Sequence, residues 1–104
     1  AAHPSISNQM VQMPRLRLGS YAQDDLTRLP DADFSAAWEL IESLCRNPGL
    51  GKLVSPLQFS LDPNLHPPCT FAEKRLGPGR FLVVYFEVEA GELFVQRVVP
   101  YTRM

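Results

Sequence analysis

Apolar side chains are concentrated in the last third of the chain, in three segments separated by turn residues. The segments run 69–76, 80–88 and 93–99, and they are rich in aromatic and β-branched residues. The first break holds Gly-Pro-Gly at 77–79 and the second holds Glu-Ala-Gly-Glu at 89–92, which is hairpin spacing. The pattern predicts three adjacent antiparallel strands.

The strongest helical pattern lies in the first half. Apolar residues recur there at helical spacing, at Phe34, Ala37, Trp38, Ile41, Leu44 and Cys45. Asp31 and Asp33 oppose the positive end of the helix dipole, and the Asn-Pro-Gly sequence at 47–49 ends the stripe. The spacing predicts a helix over 33–46 that packs Trp38, Ile41 and Leu44 against one face of the sheet.

Two shorter elements precede this helix. Residues 15–18 alternate Arg and Leu, which predicts a short strand. Ser20 and Gln23 have the spacing of a capping box at a helix start, and Pro30 follows the apolar Leu29. A helix from Ser20 to about Leu29 is therefore expected.

Prolines decide the interpretation of the remaining segments. Residues 54–68 contain four of them, which excludes a central strand or a long helix and predicts an extended surface loop. Residues 1–14 have no periodicity and are expected to form a flexible arm. The order of elements predicts one α+β domain over residues 15–104, with an antiparallel sheet of about four strands packed against an N-terminal helical hairpin.

The net charge of the chain bears on whether its partner is a nucleic acid. The chain has 104 residues and a formal net charge of −1, whereas nucleic-acid-binding domains usually carry a basic surplus. Residues 1–51 have four Arg against six acids, and residues 52–104 have six Lys and Arg against five acids, so the halves carry −2 and +1. Any nucleic-acid site is therefore expected to be a local patch.

Cysteines, histidines and apolar runs add further expectations. Cys45 and Cys69 are expected to be buried, reduced thiols. His66 and Cys69 have His-x-x-Cys spacing, but no second ligand pair accompanies them, so no metal or other cofactor is expected. Phosphate-loop, nucleophile-elbow and zinc-helix motifs are absent from the sequence.

No apolar run in the sequence is long enough to cross a bilayer, and residues 1–5 lack a hydrophobic signal core. A soluble, cytoplasmic protein is therefore expected.

Cations and aromatic residues are interleaved in the predicted sheet. The set is Lys74, Arg75, Arg80 and Arg97 with Tyr85 and Tyr101. Such a mixture suits a polyanion. The same cations can instead solvate one sheet face or pair with Glu73, Glu87, Glu89 and Glu92 across strands, and the sequence leaves both interpretations open.

The chain resembles the RelE/ParE superfamily of bacterial toxins over roughly residues 15–101. Several stretches carry the resemblance: Ser-Tyr-Ala-Gln-Asp-Asp-Leu-Thr-Arg-Leu-Pro at 20–30, Asn-Pro-Gly at 47–49 with Gly-Lys-Leu at 51–53, Lys-Arg-Leu at 74–76, and Gly-Arg-Phe-Leu-Val-Val-Tyr at 79–85. The resemblance implies a toxin that a cognate antitoxin holds inactive. Ribosome-dependent members cut messenger RNA, whereas a second branch poisons gyrase.

The resemblance also implies site residues. Lys74, Arg80 and Tyr101 are expected to be catalytic in an mRNA endoribonuclease, and nucleic-acid contacts are expected from Lys52, Arg75, Arg97 and Arg103. Two departures weaken the nuclease expectation. Leu82 stands where RNA-cutting relatives commonly have Arg. The short C-terminal segment that brings a final Tyr or His into the nuclease site of such relatives is also expected to be lacking here, unless Tyr101 itself takes that role.

A non-catalytic protein-interaction module of the same fold is therefore the alternative, and whether the chain is an enzyme stays open. In either case a protein partner is expected at an exposed sheet edge, near Arg15 or Val99, and over the face between Arg80 and Arg97. The pattern does not predict the oligomeric state. The ribosome with its mRNA and gyrase remain alternative targets.

Overall fold

The elements follow one another in nearly the predicted order in the computed structural model, which describes residues 14–103. They are β1 (Arg15–Leu18), α1 (Ser20–Thr27), α2 (Asp31–Arg46), a 3₁₀ turn (Pro48–Leu50), β2 (Lys52–Leu53), α3 (Pro56–Leu61), β3 (Thr70–Gly77), β4 (Arg80–Glu89) and β5 (Glu92–Thr102). The three predicted C-terminal strands and both predicted helices are confirmed. The expected N-terminal arm lies outside the described residues except for Pro14.

The sheet has five strands in the order β1-β5-β4-β3-β2. The predicted α+β architecture is confirmed, although the sheet has five strands instead of about four and is mixed, since β1 runs parallel to β5 while the other pairs are antiparallel. A parallel pair needs a long crossover, and here all the elements between β1 and β5 supply it. β2 has only two residues, too few to produce a periodic pattern in the sequence.

The main core lies between the sheet and the helices α1 and α2. Its fully buried members include Ala37, Ile41 and Leu44 from α2 and Leu82, Val84 and Phe86 from β4. The predicted packing of the α2 stripe on one face of the sheet is confirmed, with β4 supplying the central contacts. Trp38 is a partial exception, since it is only partly buried beside this core, edge-on to Phe34 with ring centroids 6.2 Å apart.

The start of α1 differs from the prediction. Gly19 is the N-cap residue and no side chain caps this end, so Ser20 and Gln23 do not form a capping box. Gln23 Nε2 instead donates to the carbonyl oxygen of Leu18, at 3.0 Å. A helix does start here as the spacing predicts, but it begins one residue earlier than a capping box requires, because Ser20 is the first helical residue and Gly19 is the N-cap.

The segment 54–68 also departs from the prediction of an extended loop. Residues 56–61 form α3, whose first residue is Pro56. Proline is compatible with that position because the first helical N–H has no partner within the helix. Phe59 of α3 packs on a second, smaller core on the other face of the sheet, formed by Val54, Leu65, Cys69, Val83 and Tyr85.

Both cysteines are free thiols, and Cys69 is buried as predicted, whereas Cys45 is only partly buried. Cys45 packs beside the main core and Cys69 belongs to the second core, so the sheet separates them. Among residues 14–103, no helix is long and apolar enough to cross a membrane. Within that range no cluster of His, Cys, Asp and Glu side chains could hold a metal ion either.

Candidate functional site

The sheet face opposite α1 and α2, called the open face here, carries a groove of about 560 Å³. One wall comes from the segment around β2 and α3, and the floor comes from β3, β4 and β5. The lining residues are Leu53, Val54, Ser55, Gln58, Phe71, Glu73, Val83, Tyr85, Val99 and Tyr101. Because α3 covers only part of this face, the groove remains accessible.

A cluster of aromatic and charged side chains, the open-face cluster, lies at one end of the groove. It consists of Glu73, Arg75, Phe81, Tyr101 and Arg103. The rings of Phe81 and Tyr101 stack with centroids 5.5 Å apart and planes 21° apart. The guanidinium carbon of Arg103 lies 4.5 Å from the Phe81 ring centroid. This is a stacked platform with a cation on its face.

Hydrogen bonds connect the charged members of this cluster. Arg103 Nη2 donates to Glu73 Oε2 at 3.1 Å and also to the Tyr101 hydroxyl. Arg75 Nε donates to the carbonyl oxygen of Gly77, and Arg75 has no acidic partner among residues 14–103. The Arg75 charge therefore remains available to a ligand.

Strand register brings the cluster together. Arg75 on β3 lies opposite Phe81 on β4, and Phe81 lies opposite Tyr101 on β5. Paired residues of neighbouring strands point to the same face of a sheet. The backbone N–H of Arg103 donates to the carbonyl oxygen of Gly79 at 2.7 Å, which holds the end of the chain against the β3–β4 hairpin.

Two of the three predicted catalytic residues lie on the other face. Lys74 Nζ is 3.3 Å from Glu39 Oε1 and Arg80 Nη2 is 2.8 Å from Asp33 Oδ2, both carboxylates belonging to α2. Side chains alternate along a strand, so Lys74 and Arg80 point towards the helices while Tyr101 points into the groove. The structure does not bring these three side chains together.

Arg97 is held in an ion-pair network instead of facing a ligand. Its guanidinium contacts Asp25 at 2.7 Å and Asp62 at 3.2 Å, and the side chain is 18% exposed. The hydrogen bonds that Arg97 donates to the Asp25 carboxylate raise the pKa of Arg97, against the opposing effect of burial. Arg97 therefore connects α1 to the end of α3.

Lys52 is exposed on β2, in register with Phe71 of β3. No acidic side chain within residues 14–103 forms an ion pair with it. Of the four predicted nucleic-acid contacts, Arg75 and Arg103 thus lie in the open-face cluster, Lys52 lies on the terminal strand, and Arg97 is engaged elsewhere.

Tyr85 forms part of the groove floor. Gln58 Nε2 donates to its hydroxyl oxygen at 3.2 Å, and burial raises the pKa of Tyr85. The hydroxyl therefore stays protonated at neutral pH and can donate a hydrogen bond to a ligand in the groove.

The sequence pattern did not single out Glu73, Phe81 or Gln58 as site residues. Glu73 and Phe81 were recognisable from strand alternation, since they share a face with Arg75 and Tyr101. No sequence pattern indicates Gln58 as a site residue, because the sequence does not predict α3, on which Gln58 lies. Together, the open-face cluster offers guanidinium donors for an anion, an aromatic stack for a planar group, and one carboxylate that can accept a proton.

The comparisons with known proteins concern the fold. No protein-family model matches the chain, and no curated protein matches it significantly. A solved structure does match: a chain in the crystal structure of the toxin–antitoxin complex RelBE2 from Mycobacterium tuberculosis. It is 19% identical, with a TM-score of 0.53, over 83% of this chain and 95% of that chain. The protein is an α+β domain whose fold is similar to that of this chain of the RelBE2 complex.

Proposed function

We propose that this chain is the toxin of a type II toxin–antitoxin pair and that it binds and cuts messenger RNA at the open face. The observation that carries the toxin assignment is the likeness in fold to a chain of the RelBE2 complex, which extends over nearly the whole of that chain. A cognate antitoxin, the ribosome as the place of action and a cytoplasmic location belong to the same proposal.

The open-face cluster supports RNA as the ligand. Single-stranded RNA is recognised by stacking of bases on aromatic rings and guanidinium planes, together with cations at the phosphates. Phe81 and Tyr101 form the stack, and the charge comes from Arg103 and from Arg75, which has no acidic partner among residues 14–103. A local patch of this kind is compatible with a net charge of −1.

The same cluster has groups suited to cleavage by an internal attack. In that reaction the ribose 2′-oxygen bonds to phosphorus, the bond from phosphorus to the 5′-oxygen breaks, and a 2′,3′-cyclic phosphate and a 5′-hydroxyl result. We assign the Glu73 carboxylate to accept the 2′-hydroxyl proton and the Tyr101 hydroxyl to donate a proton to the leaving 5′-oxygen. Arg75 and Arg103 stabilise the charge on the phosphate.

A second candidate function is a non-catalytic module of the same fold, including a toxin that binds gyrase. The ion pairs favour it, since Lys74, Arg80 and Arg103 all have carboxylate partners within the chain. In addition, Leu82 is buried in the main core and contributes no charge to the open face. For Lys74 or Arg80 to contact RNA, each would have to leave its partner on α2.

Induction in bacteria separates these functions. The wild-type chain is expected to arrest growth and to produce new 5′ ends inside translated messages. The double variant Arg75→Ala/Arg103→Ala, and separately Glu73→Gln, should reduce the cleavage at least tenfold. The matched control is Lys74→Ala/Arg80→Ala, which removes the same charge from the opposite face and should retain most of the cleavage.

Thermal unfolding of each purified variant shows whether the domain remains folded. Cleavage that survives Arg75→Ala/Arg103→Ala but is lost in Lys74→Ala/Arg80→Ala would move the site to the helix-covered face. Growth arrest with intact messages and altered DNA supercoiling would contradict RNA cleavage and support the gyrase alternative.

A further inference from the structure

Four exposed leucines lie within a short stretch at one end of the sheet. Leu50 is 52% exposed, Leu53 80%, Leu57 67% and Leu61 70%. Leucine is usually buried, and a concentration of exposed apolar side chains marks an interaction surface more often than solvent-facing structure. We call these four residues the leucine edge.

The backbone at the leucine edge is also open to a partner. β2 is the terminal strand of the sheet, and β3 is its only strand neighbour among residues 14–103. The unpaired side of a terminal strand can accept an added strand. Leu57 and Leu61 are four residues apart on α3, which places them on one side of that helix. Strand edge and helix surface thus lie next to each other in the chain.

Charge indicates what kind of segment binds there. Residues 43–61 contain Arg46 and Lys52 and no Asp or Glu. Both Arg46 and Lys52 are exposed, and no ion pair engages either of them in the described part of the chain. A complementary segment combines apolar side chains with carboxylates.

We infer that the leucine edge is the docking surface for an acidic, amphipathic segment of the antitoxin, an inference that rests on the proposed function. An extended stretch of that segment pairs with β2 and covers Leu53, and its continuation packs on Leu57 and Leu61. Carboxylates of the segment meet Lys52 and Arg46. Since Leu53 also lines the open-face groove, a segment bound here lies at the border of the groove.

The edges expected from the sequence are less suited to this role. Near Val99, the Asp25 carboxylate already accepts the backbone N–H of Val98, at 2.9 Å. At the other edge, Leu16 of β1 is only 38% exposed. Its neighbour Arg17 is held by Glu92 at 2.7 Å and lies over the ring of Phe94. Neither edge has the apolar surface of residues 50–61.

The test uses the full chain and, as the probe, the protein encoded by the adjacent reading frame. Titration calorimetry should show tight binding to the wild-type chain and at least a hundredfold weaker binding to Leu53→Asp/Leu57→Asp. Lys52→Glu should weaken binding about tenfold, whereas Lys52→Arg should not. The matched control is Leu16→Asp on the opposite edge, which should change the affinity by less than threefold.

Other outcomes overturn the inference. If Leu53→Asp/Leu57→Asp binds the probe as tightly as the wild type does, the partner binds elsewhere and the toxin–antitoxin assignment stands. If only Leu16→Asp loses binding, the partner binds at β1. If the probe does not bind the wild-type chain at all, the inference and the antitoxin both fail. Light scattering on the isolated chain tests for self-association. If the wild-type chain is a dimer and Leu53→Asp is a monomer, the leucine edge binds a second copy of this chain and not the antitoxin.

Discussion

The Arg97 guanidinium and the Asp25 carboxylate form an ion pair at 2.7 Å whose two side chains are only 18% and 9% exposed. Asp25 also accepts the backbone N–H of Val98, and Arg97 also contacts Asp62. The pair therefore holds α1, β5 and the end of α3 together at the part of β5 that extends beyond its pairing with β1.

Arg97→Ala should destabilise the protein strongly. Removing the guanidinium leaves two carboxylates, one of them buried, without their partner, and such losses cost about 3 kcal/mol of unfolding free energy. Urea denaturation measures this. The control Arg75→Ala removes an exposed arginine and should change stability by less than about 0.5 kcal/mol. Equal effects of the two substitutions would contradict a structural role for Arg97.

Gly51→Ala should also destabilise the fold, by about 1–3 kcal/mol. A Cβ atom at position 51 would lie 2.5 Å from Cζ of Phe86, a ring in the main core. Gly77→Ala is the matched control, because a Cβ there meets nothing within 4 Å. Denaturant unfolding of both variants is the measurement, and a Gly51→Ala variant as stable as Gly77→Ala would show that Phe86 moves aside easily.

The α2 stripe should be more sensitive to truncation than the leucine edge. Ile41 has no exposed surface, so Ile41→Ala is expected to cost about 2–5 kcal/mol through the cavity it leaves. Leu57→Ala removes an exposed aliphatic side chain and should cost less than about 0.5 kcal/mol. Calorimetric melting measures the stability of both variants. Comparable losses of stability would mean that α3 contributes more to the core than its exposure indicates.

Stability should fall at alkaline pH in a way that depends on Cys69. Burial raises the pKa of this thiol from 9.0 to about 12. A pKa that is higher in the folded state favours folding fully below the unfolded pKa, and the contribution is lost as pH rises through the folded value. Unfolding free energies measured between pH 9 and 12 should therefore decline less in Cys69→Ala than in the wild type. Parallel pH profiles would contradict this contribution.

Most of the fold was predictable because it depends on local periodicity. The α2 stripe ending at 47–49 and the three C-terminal strands have long, regular patterns, and the structure confirms them. The hairpin between β4 and β5 has positive φ at Ala90 and Gly91, as a two-residue turn of this kind requires. β2 and α3 were missed because two and six residues are too few for a period to show, and because prolines argued against regular structure.

The candidate site was predictable only in part. Residue type selected Arg75, Tyr101 and Arg103 for the open face, but the same criterion selected Lys74 and Arg80, whose side chains point to α2. Residue type also selected Arg97, whose guanidinium forms ion pairs with Asp25 and Asp62.

The sequence by itself determined the α+β class, the helices α1 and α2 and the three C-terminal strands, because these depend on patterns within each segment. Tertiary structure decided which cations remain available to a ligand. That outcome depends on strand register and on carboxylates far away in the chain, such as Asp33 for Arg80 and Asp25 for Arg97. Such pairings arise only when the helices are packed on the sheet, since an ion pair forms where two charges meet in space.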